Sequence, residues 1–373
     1  MPKVTDASEE FEEILEEVAS GRKLQPADVE RLLQARGKEV LLLAKKADEV
    51  REKQVGKMVT YVINRNINFT NICVNNCRFC AFRRHAADPD AFVLTFSEIK
   101  QKVKEAVNQG ATEVCLQGGI NPTLNLDYYL GILRTIKEVS EEVHIHAFSP
   151  QEVASLADRE GMTVEEVLRL LKREGLGSMP GTAAEILSDR VRAIICPRKI
   201  STGKWVEIIE TAHRLGIPTT ATMMYGTVEN MRERAEHLLL LREIQIRTGG
   251  FTEFIPLPFV SGRTELRGRV SEPSIPDSLR LHATARLVLG EYIRNIQASW
   301  VKLGPRGAQL MLLSGANDLG GVLMEENITR EAGGRWGQYL PPKKLRELIW
   351  EIGRIPAQRS TLYEILVVWD RPQ

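Results

Sequence analysis

The sequence predicts an α/β protein built on a (β/α)8 TIM-type barrel, with an N-terminal helical cap and a C-terminal helical/strand extension. Short apolar or β-branched runs alternate with longer charged stretches of helical period, about eight such pairs fit between residues 58 and 304, and several helical stretches stop at a glycine. Strands alternating with helices of this length make parallel βαβ units, and eight of them close into a barrel.

Each element can be justified in order. Residues 1–57 carry Phe11, Ile14, Leu15 and Val18, then Val29, Leu32 and Leu33, then VLLLAKKADEVREK, all at spacings that gather apolar side chains on one helix face. They form the cap. From 58 to 304 the expected strands are VTYVINRNINFTN, EVCLQGG, VHIHAFSP, GLGSMPG, VRAIICP, PTTATMMYG, FTEFIPLP and IQASWVKLG, with amphipathic helices such as FSEIKQKVKEAVNQG and KWVEIIETAHRLG between them. RVSEPSIPDS reads as a loop before the last of these helices. Residues 305–373 hold GANDLGG, the amphipathic KKLRELIWEIGR and a tail ending YEILVVWD, expected as an extension packed on the barrel.

Composition narrows the function. Fifty Lys plus Arg against 49 Asp plus Glu leave a net charge of +1 with no basic run, so no nucleic-acid partner and no anionic-membrane partner is expected. The first residues, MPKVTDASEEFEE, are charged where a signal peptide would be apolar, and no run approaches the roughly 18 apolar residues of a membrane span. A cytoplasmic protein acting on small molecules is expected. Five cysteines are too few and too clustered for a disulfide framework.

Three of those cysteines, Cys73, Cys77 and Cys80, fall within CVNNCRFC directly after the first expected strand. That places them in a βα loop at the C-terminal barrel face, where barrel enzymes carry their active sites. Structural zinc sites close with four ligands, and neither Cys115, inside an expected strand, nor Cys196 has a ligand's spacing. Three thiolates on a 4Fe-4S cluster leave one iron open to an outside molecule.

With Phe79 before the last cysteine, this C-x3-C-x2-C loop resembles that of the radical S-adenosylmethionine (SAM) enzymes. The resemblance implies a cluster held by Cys73, Cys77 and Cys80, with SAM on the open iron. It further implies that Gln117, Gly118 and Gly119 meet the methionine amino group, that Ser178 and Glu185 in SMPGTAAEI lie by the ribose or sulfonium, and that Tyr225, Gly226 and Glu229 in MMYGTVE flank adenine beside Phe79. Thr227 stands where the family pattern has His, which weakens any role at that position.

Further segments, NINFTNICVNNCRFCAFRR, HIHAFSPQEV, ICPRKISTGKW, GGFTEFIPLPFV, GANDLGG and GRIPAQRST, are similar to the menaquinone-futalosine and deazaflavin branch of these enzymes, nearest its tyrosine-using FO synthase members. That likeness implies L-tyrosine and 5-amino-6-(D-ribitylamino)uracil as substrates in coenzyme F-420 biosynthesis, an external electron donor, and a separate ring-closing subunit, because the chain has one cluster loop. The futalosine-pathway enzymes are the nearest alternative, and a non-catalytic iron-sulfur scaffold is a remote one. Within this frame His146 is a candidate proton acceptor, Arg198 a carboxylate clamp and Glu253 a hydrogen-bonding partner for substrate, with His144, Ser149 and Asn317 as further polar candidates.

Overall fold

The computed structural model describes residues 7–19 and 22–370, so the expected cap residues 1–6, 20 and 21 and the last three of the tail lie outside the described residues. The cap consists of α1 (Ala7–Ala19), α2 (Pro26–Leu33) and α3 (Lys38–Val55). Their buried faces are those read from the spacing: Phe11, Ile14 and Leu15, then Val29, Leu32 and Leu33, then Val40, Leu43 and Ala47.

Next come β1 (Met58–Val62), β2 (Asn64–Ile67), α4 (Phe96–Asn108), β3 (Glu113–Leu116), α5 (Leu126–Val139), β4 (His144–Ala147), α6 (Pro150–Glu160) and α7 (Val164–Arg173). The middle of the chain gives α8 (Asp189–Ile195), α9 (Thr202–Arg214), β5 (Thr219–Tyr225), α10 (Met231–Thr248), β6 (Phe251–Pro258) and α11 (Ile275–Leu289). Last are α12 (Trp300–Leu312), β7 (Asp318–Gly321), α13 (Ile328–Glu331), α14 (Pro342–Glu351), β8 (Ile355–Arg359) and β9 (Ile365–Val368). The cap rests on the barrel's outer helices: α2 packs on α10 and α11, and α3 on α11.

Parallel pairing closes a ring. β2 pairs with β3 and β3 with β4; His146 bridges Ser178, and Met179 bridges Thr219 of β5. β5 pairs with β6, Phe254 bridges Ile296, Gln297 bridges Asp318, and β7 pairs with β1. Eight positions result, two of them reduced to short bridges.

They are not quite the eight predicted. VRAIICP, expected as a strand, is the helix α8, because Ser188 caps it by accepting from the Val191 N–H. Arg192 on α8 is buried and donates to the carbonyls of Ala183, Ala184 and Ile200, fixing the turns around the helix. IQASWVKLG contributes only the bridges at Ile296 and Gln297 before Trp300 opens α12. The eighth place is taken by β7, from GANDLGG, which the sequence reading leaves in the extension after residue 304. The long first strand divides at Ile63, because β8 lies beside β1 and forces β2 alone to meet β3.

Helix starts are strongly specified. Thr95 with Glu98, Ser149 with Glu152, Thr163 with Glu166 and Asn230 with Glu233 form reciprocal capping boxes on α4, α6, α7 and α10. Glycines stop α6 and α10 in the left-handed region, Gly161 and Gly249. Among the described residues no helix is long and apolar enough to cross a membrane.

At the ring seam Asp318 is fully buried. It accepts from Thr60 on β1, from the Gly320 N–H and twice from Arg359 on β8, at 2.6 and 3.1 Å. Removing one partner of such a pair strands a buried charge, so Asp318→Asn should lower stability by about 3–5 kcal/mol. Denaturant titration should show a clearly lower midpoint; an unmoved midpoint would mean that the seam does not depend on the pair.

Candidate functional site

Because side chains alternate across a strand, every second residue of each barrel strand faces inward. Asn64 and Asn66 on β2, Glu113 and Cys115 on β3, His146 on β4, Thr220, Thr222 and Met224 on β5, and Glu253, Ile255 and Leu257 on β6 line one cavity of about 390 Å³. Register puts Asn66, Cys115 and His146 side by side in one row of the wall. Asn68 and Gln117, just beyond the strand ends, continue the amide-rich wall upward.

The cysteine loop leaves β2 and forms the rim. It is pinned by backbone bonds from Cys73 N to Arg84 O, Val74 N to Ile120 O, and Arg78 N to Ile195 O. Gly119 is required here: a β-carbon at that position would lie 2.2 Å from the Ile72 carbonyl and 2.9 Å from Cys73 Cβ. Cys73, Cys77 and Cys80 all line the cavity, and all are free thiols.

Burial raises the pKa of Cys77, opposed by the charge of Lys199; burial also raises that of Cys80, opposed by N–H bonds from Arg83 and Phe82 to its sulfur. Among the described residues no three His, Cys, Asp or Glu side chains converge on one metal-sized point. An iron-sulfur cluster makes no such demand, since each cysteine meets its own iron. Three thiols on one short loop, one of them already carrying amide donors and the set facing a cavity, fit a cluster with an open iron.

Around the rim the expected SAM residues divide. Gln117 donates to Thr182 Oγ1 at 3.3 Å, and the Gly118 N–H reaches Glu152 Oε1 at 3.2 Å. Glu185, with φ of 44°, is bonded by Lys199, whose ammonium lies 5.1 Å from the Phe79 ring centre. Burial works against the Lys199 charge, but Glu185 and the neighbouring thiols hold its pKa above the usual lysine range. Phe79, Gln117, Gly118, Gly119 and Glu185 line the cavity; Ser178, Tyr225, Gly226 and Glu229 are not part of its lining. Tyr225 is buried with its hydroxyl on Ser278, and Glu229 accepts from the N–H groups of Gly226 and Thr227, from the Thr227 hydroxyl and from Arg234. These residues form a clasp behind the wall.

Deeper in, His144 Nε2 and His146 Nδ1 both meet Ser178 Oγ at 2.7 Å. Burial lowers the His146 pKa to about 4, only partly offset by Glu113, so the imidazole is neutral near pH 7. Its Nε2 has no protein partner among the described residues. Glu253 accepts from Tyr363 at 2.8 Å and lies 3.7 Å from Arg359; burial raises its pKa against the Arg359 charge.

Arg198 is not brought into the cavity: it is exposed and donates to the Val74 carbonyl at 3.2 Å. Ser149 does line the cavity, at the start of α6, whereas Asn317 is absorbed by Arg286, Ile296 and Asn295. Sequence reasoning missed Glu152, Lys199, Lys302, Arg359 and the asparagine row. For Glu152 the capping-box spacing in SPQE was a usable signal, and for Asn64, Asn66 and Asn68 so was their spacing of two; for the cations there was none.

Residues 67–241 match the radical SAM superfamily and residues 248–371 match the CofH/MqnC C-terminal region. The chain is 57% identical over 320 residues, 86% of this chain and 92% of the relative, to the 5-amino-6-(D-ribitylamino)uracil–L-tyrosine 4-hydroxyphenyl transferase of Archaeoglobus fulgidus. It is 52% identical over 335 residues, 89% of this chain and 91% of the relative, to the protein of the same name from Methanothermobacter thermautotrophicus. Among solved structures, methylornithine synthase (PylB) superposes with a TM-score of 0.74 at 19% identity, over 92% of this chain and 97% of that one. The hydrogenase maturase HydG from Carboxydothermus hydrogenoformans superposes with a TM-score of 0.73 at 17% identity, over 95% and 81%. These two establish the fold.

Two outcomes follow from the rim. Gly119→Ala must displace the cysteine loop, so iron and sulfide retained per chain after anaerobic reconstitution should fall severalfold; full retention would show that the loop tolerates the displacement. Burial raises the Glu152 pKa to about 7, opposed by its bonds from Ser149 and Gly118. Its native-state pKa therefore exceeds the unfolded value near 4.5, the native state binds the extra proton between the two, and this contribution to stability is lost as pH rises through about 7. Relative to Glu152→Gln, the wild type should lose stability between pH 5 and pH 8; a flat difference curve would contradict the buried, protonated glutamate.

Proposed function

The chain belongs to the radical SAM superfamily and, within it, to the family of the 5-amino-6-(D-ribitylamino)uracil–L-tyrosine 4-hydroxyphenyl transferases, and we propose that it catalyses this transfer in coenzyme F-420 biosynthesis. In the overall reaction the Cα–Cβ bond of L-tyrosine breaks, the 4-hydroxybenzyl fragment joins C5 of the ribitylaminouracil, and 2-iminoacetate leaves. The observation that carries the reading is the shared cavity: three thiols of one short loop border the space that the inward amides, His146 and Glu253 line.

The cluster and bound SAM would supply a 5'-deoxyadenosyl radical able to abstract hydrogen from tyrosine. Cys73, Cys77 and Cys80 would each hold one iron, leaving the fourth for SAM. Gly118 and Gly119, against which Phe69 and the cysteine loop pack, would present their backbone to the methionine head, and Glu185, steadied by Lys199, faces the same space. His146, neutral and anchored through Nδ1, would accept a hydrogen bond at Nε2 from the substrate amine. Asn66, Asn68 and Gln117 offer the paired donors and acceptors that a pyrimidine edge requires. Glu253, held by Tyr363, would accept from ribityl hydroxyls. Ring closure to the deazaflavin would fall to a separate subunit, and an external donor would supply the electron.

The test uses anaerobically reconstituted protein with SAM, reductant and L-tyrosine, with and without the uracil, followed by mass spectrometry. Tyrosine-dependent 5'-deoxyadenosine and an adduct heavier than the uracil by one hydroxybenzyl unit are expected. SAM cleavage without tyrosine consumption would move the chain to the futalosine branch, and no cleavage with an intact cluster would overturn the enzyme reading.

A further inference from the structure

Tyrosine reaches the cavity with a carboxylate, and the cation read from sequence as its clamp, Arg198, faces outward. Four other cationic side chains line the cavity: Arg83, Lys199, Lys302 and Arg359. Lys199 is paired with Glu185, Arg359 with Asp318, and Arg83 is bonded to His85 Nε2 at 3.1 Å. The side chain of Lys302 alone among the four has neither an ion pair nor a hydrogen bond among the described residues.

Its surroundings relieve that charge only through space. Lys302 stands in the first turn of α12 beside Val301, on the stave that bridges β6 through Phe254 and Ile296. The two carboxylates that act on it through space are committed elsewhere: Glu326 takes the Thr329 N–H with both oxygens, and Glu185 holds Lys199. Burial lowers the Lys302 pKa against the attraction of Glu326 and Glu185. A half-buried ammonium that no carboxylate touches is costly, and an arriving carboxylate reduces that cost. Ile255 and Leu257 of β6 and Val301 supply apolar wall on the same side, suited to a phenol ring.

Resting on the transferase reading, we propose that Lys302 is the docking cation for the α-carboxylate of the amino-acid substrate, and so a determinant of the choice of tyrosine over its amine analogue. The carboxylate bonds to Nζ while the aromatic ring lies against Ile255, Leu257 and Val301.

The test compares L-tyrosine with tyramine, which lacks only the carboxylate, in reconstituted wild type and in Lys302→Met and Lys302→Arg. Wild type should bind tyramine, measured as a competitor of tyrosine, about 10- to 100-fold more weakly than tyrosine, the range for one charge-assisted hydrogen bond. Lys302→Met should raise KM for L-tyrosine by a similar factor, with KM for SAM and for the uracil and the cluster absorbance unchanged, and should no longer distinguish tyramine. Lys302→Arg should recover part of the tyrosine affinity. Equal binding of tyrosine and tyramine by wild type would overturn the assignment without any variant. So would a KM for tyrosine within twofold of wild type in a cluster-loaded Lys302→Met, or a rise confined to KM for SAM. If the transferase reading itself is wrong, wild type makes no adduct, and that failure appears before any variant is compared.

Discussion

The bidentate pair between Asp318 and Arg359 is the interaction on which the rest of the architecture leans. A ring of parallel strands must close between its first and last members, and here β1 also has to accept β8 as a neighbour. Asp318 ties all three strands at one point, with Thr60 from β1, its own β7 and Arg359 from β8. The Born cost of burying both charges is offset only because each oxygen and each donor is used. One consequence reaches the site: Arg359 is held with its guanidinium 4.0 Å from the Tyr363 ring centre and within reach of Glu253, so the floor of the cavity inherits its charge balance from the seam.

At the other end of the cavity the same logic runs with one cation among thiols. Lys199 is fixed by Glu185, lies over Phe79 and lowers the pKa of Cys77 and Cys80 against the rise that burial imposes. Burial keeps protons on Cys77 and Cys80, so on the proposed cluster assignment loading would release them, and Lys199 would favour that release. Glu185 is thus part of the rim's charge balance as well as a group facing the cavity. Its left-handed backbone, unusual for a residue with a β-carbon, is held in place by the Met224 N–H to its carbonyl and by the ion pair.

How much of this was legible in the sequence follows from the range of each interaction. The cap faces, the helix starts and β3, β5 and β6 rest on periodicity and capping, which are local, and they were readable. The fifth expected strand and the true eighth place in the ring were not. VRAIICP has a strand's composition, but Ser188 and the carbonyls that Arg192 gathers belong to tertiary structure; GANDLGG is too short and glycine-rich to read as a strand until β1 lies beside it. The cysteine loop was legible because its three thiols lie within eight residues of sequence. Arg198 was chosen for its place after an expected strand that proved to be a helix, while Lys199, one residue on, points inward. Lys302 carried no signal because nothing in the sequence says that its partner is missing.

The two walls of the cavity divide the chemistry. The amide wall on β2 and β3 carries Asn66, Asn68, Cys115 and Gln117; the wall on β6 and α12 carries Ile255, Leu257 and Val301. A carbon-centred fragment released from tyrosine must reach the pyrimidine before it meets water or an easily broken X–H bond. The Cys115 thiol is the weakest such bond in the amide wall, and burial holds it neutral, with its hydrogen in place. With the phenol ring on the apolar wall and the uracil on the amide wall, as the assignments above require, the pyrimidine stands between the fragment and Cys115. Docking the carboxylate at Lys302, as proposed, would fix the first half of that arrangement, and the asparagine row would fix the second. Reversing the two substrates would leave the fragment beside a hydrogen donor, so on the proposed assignments the cavity cation that is unpaired among the described residues and the row of amides would together decide whether the fragment is transferred or quenched.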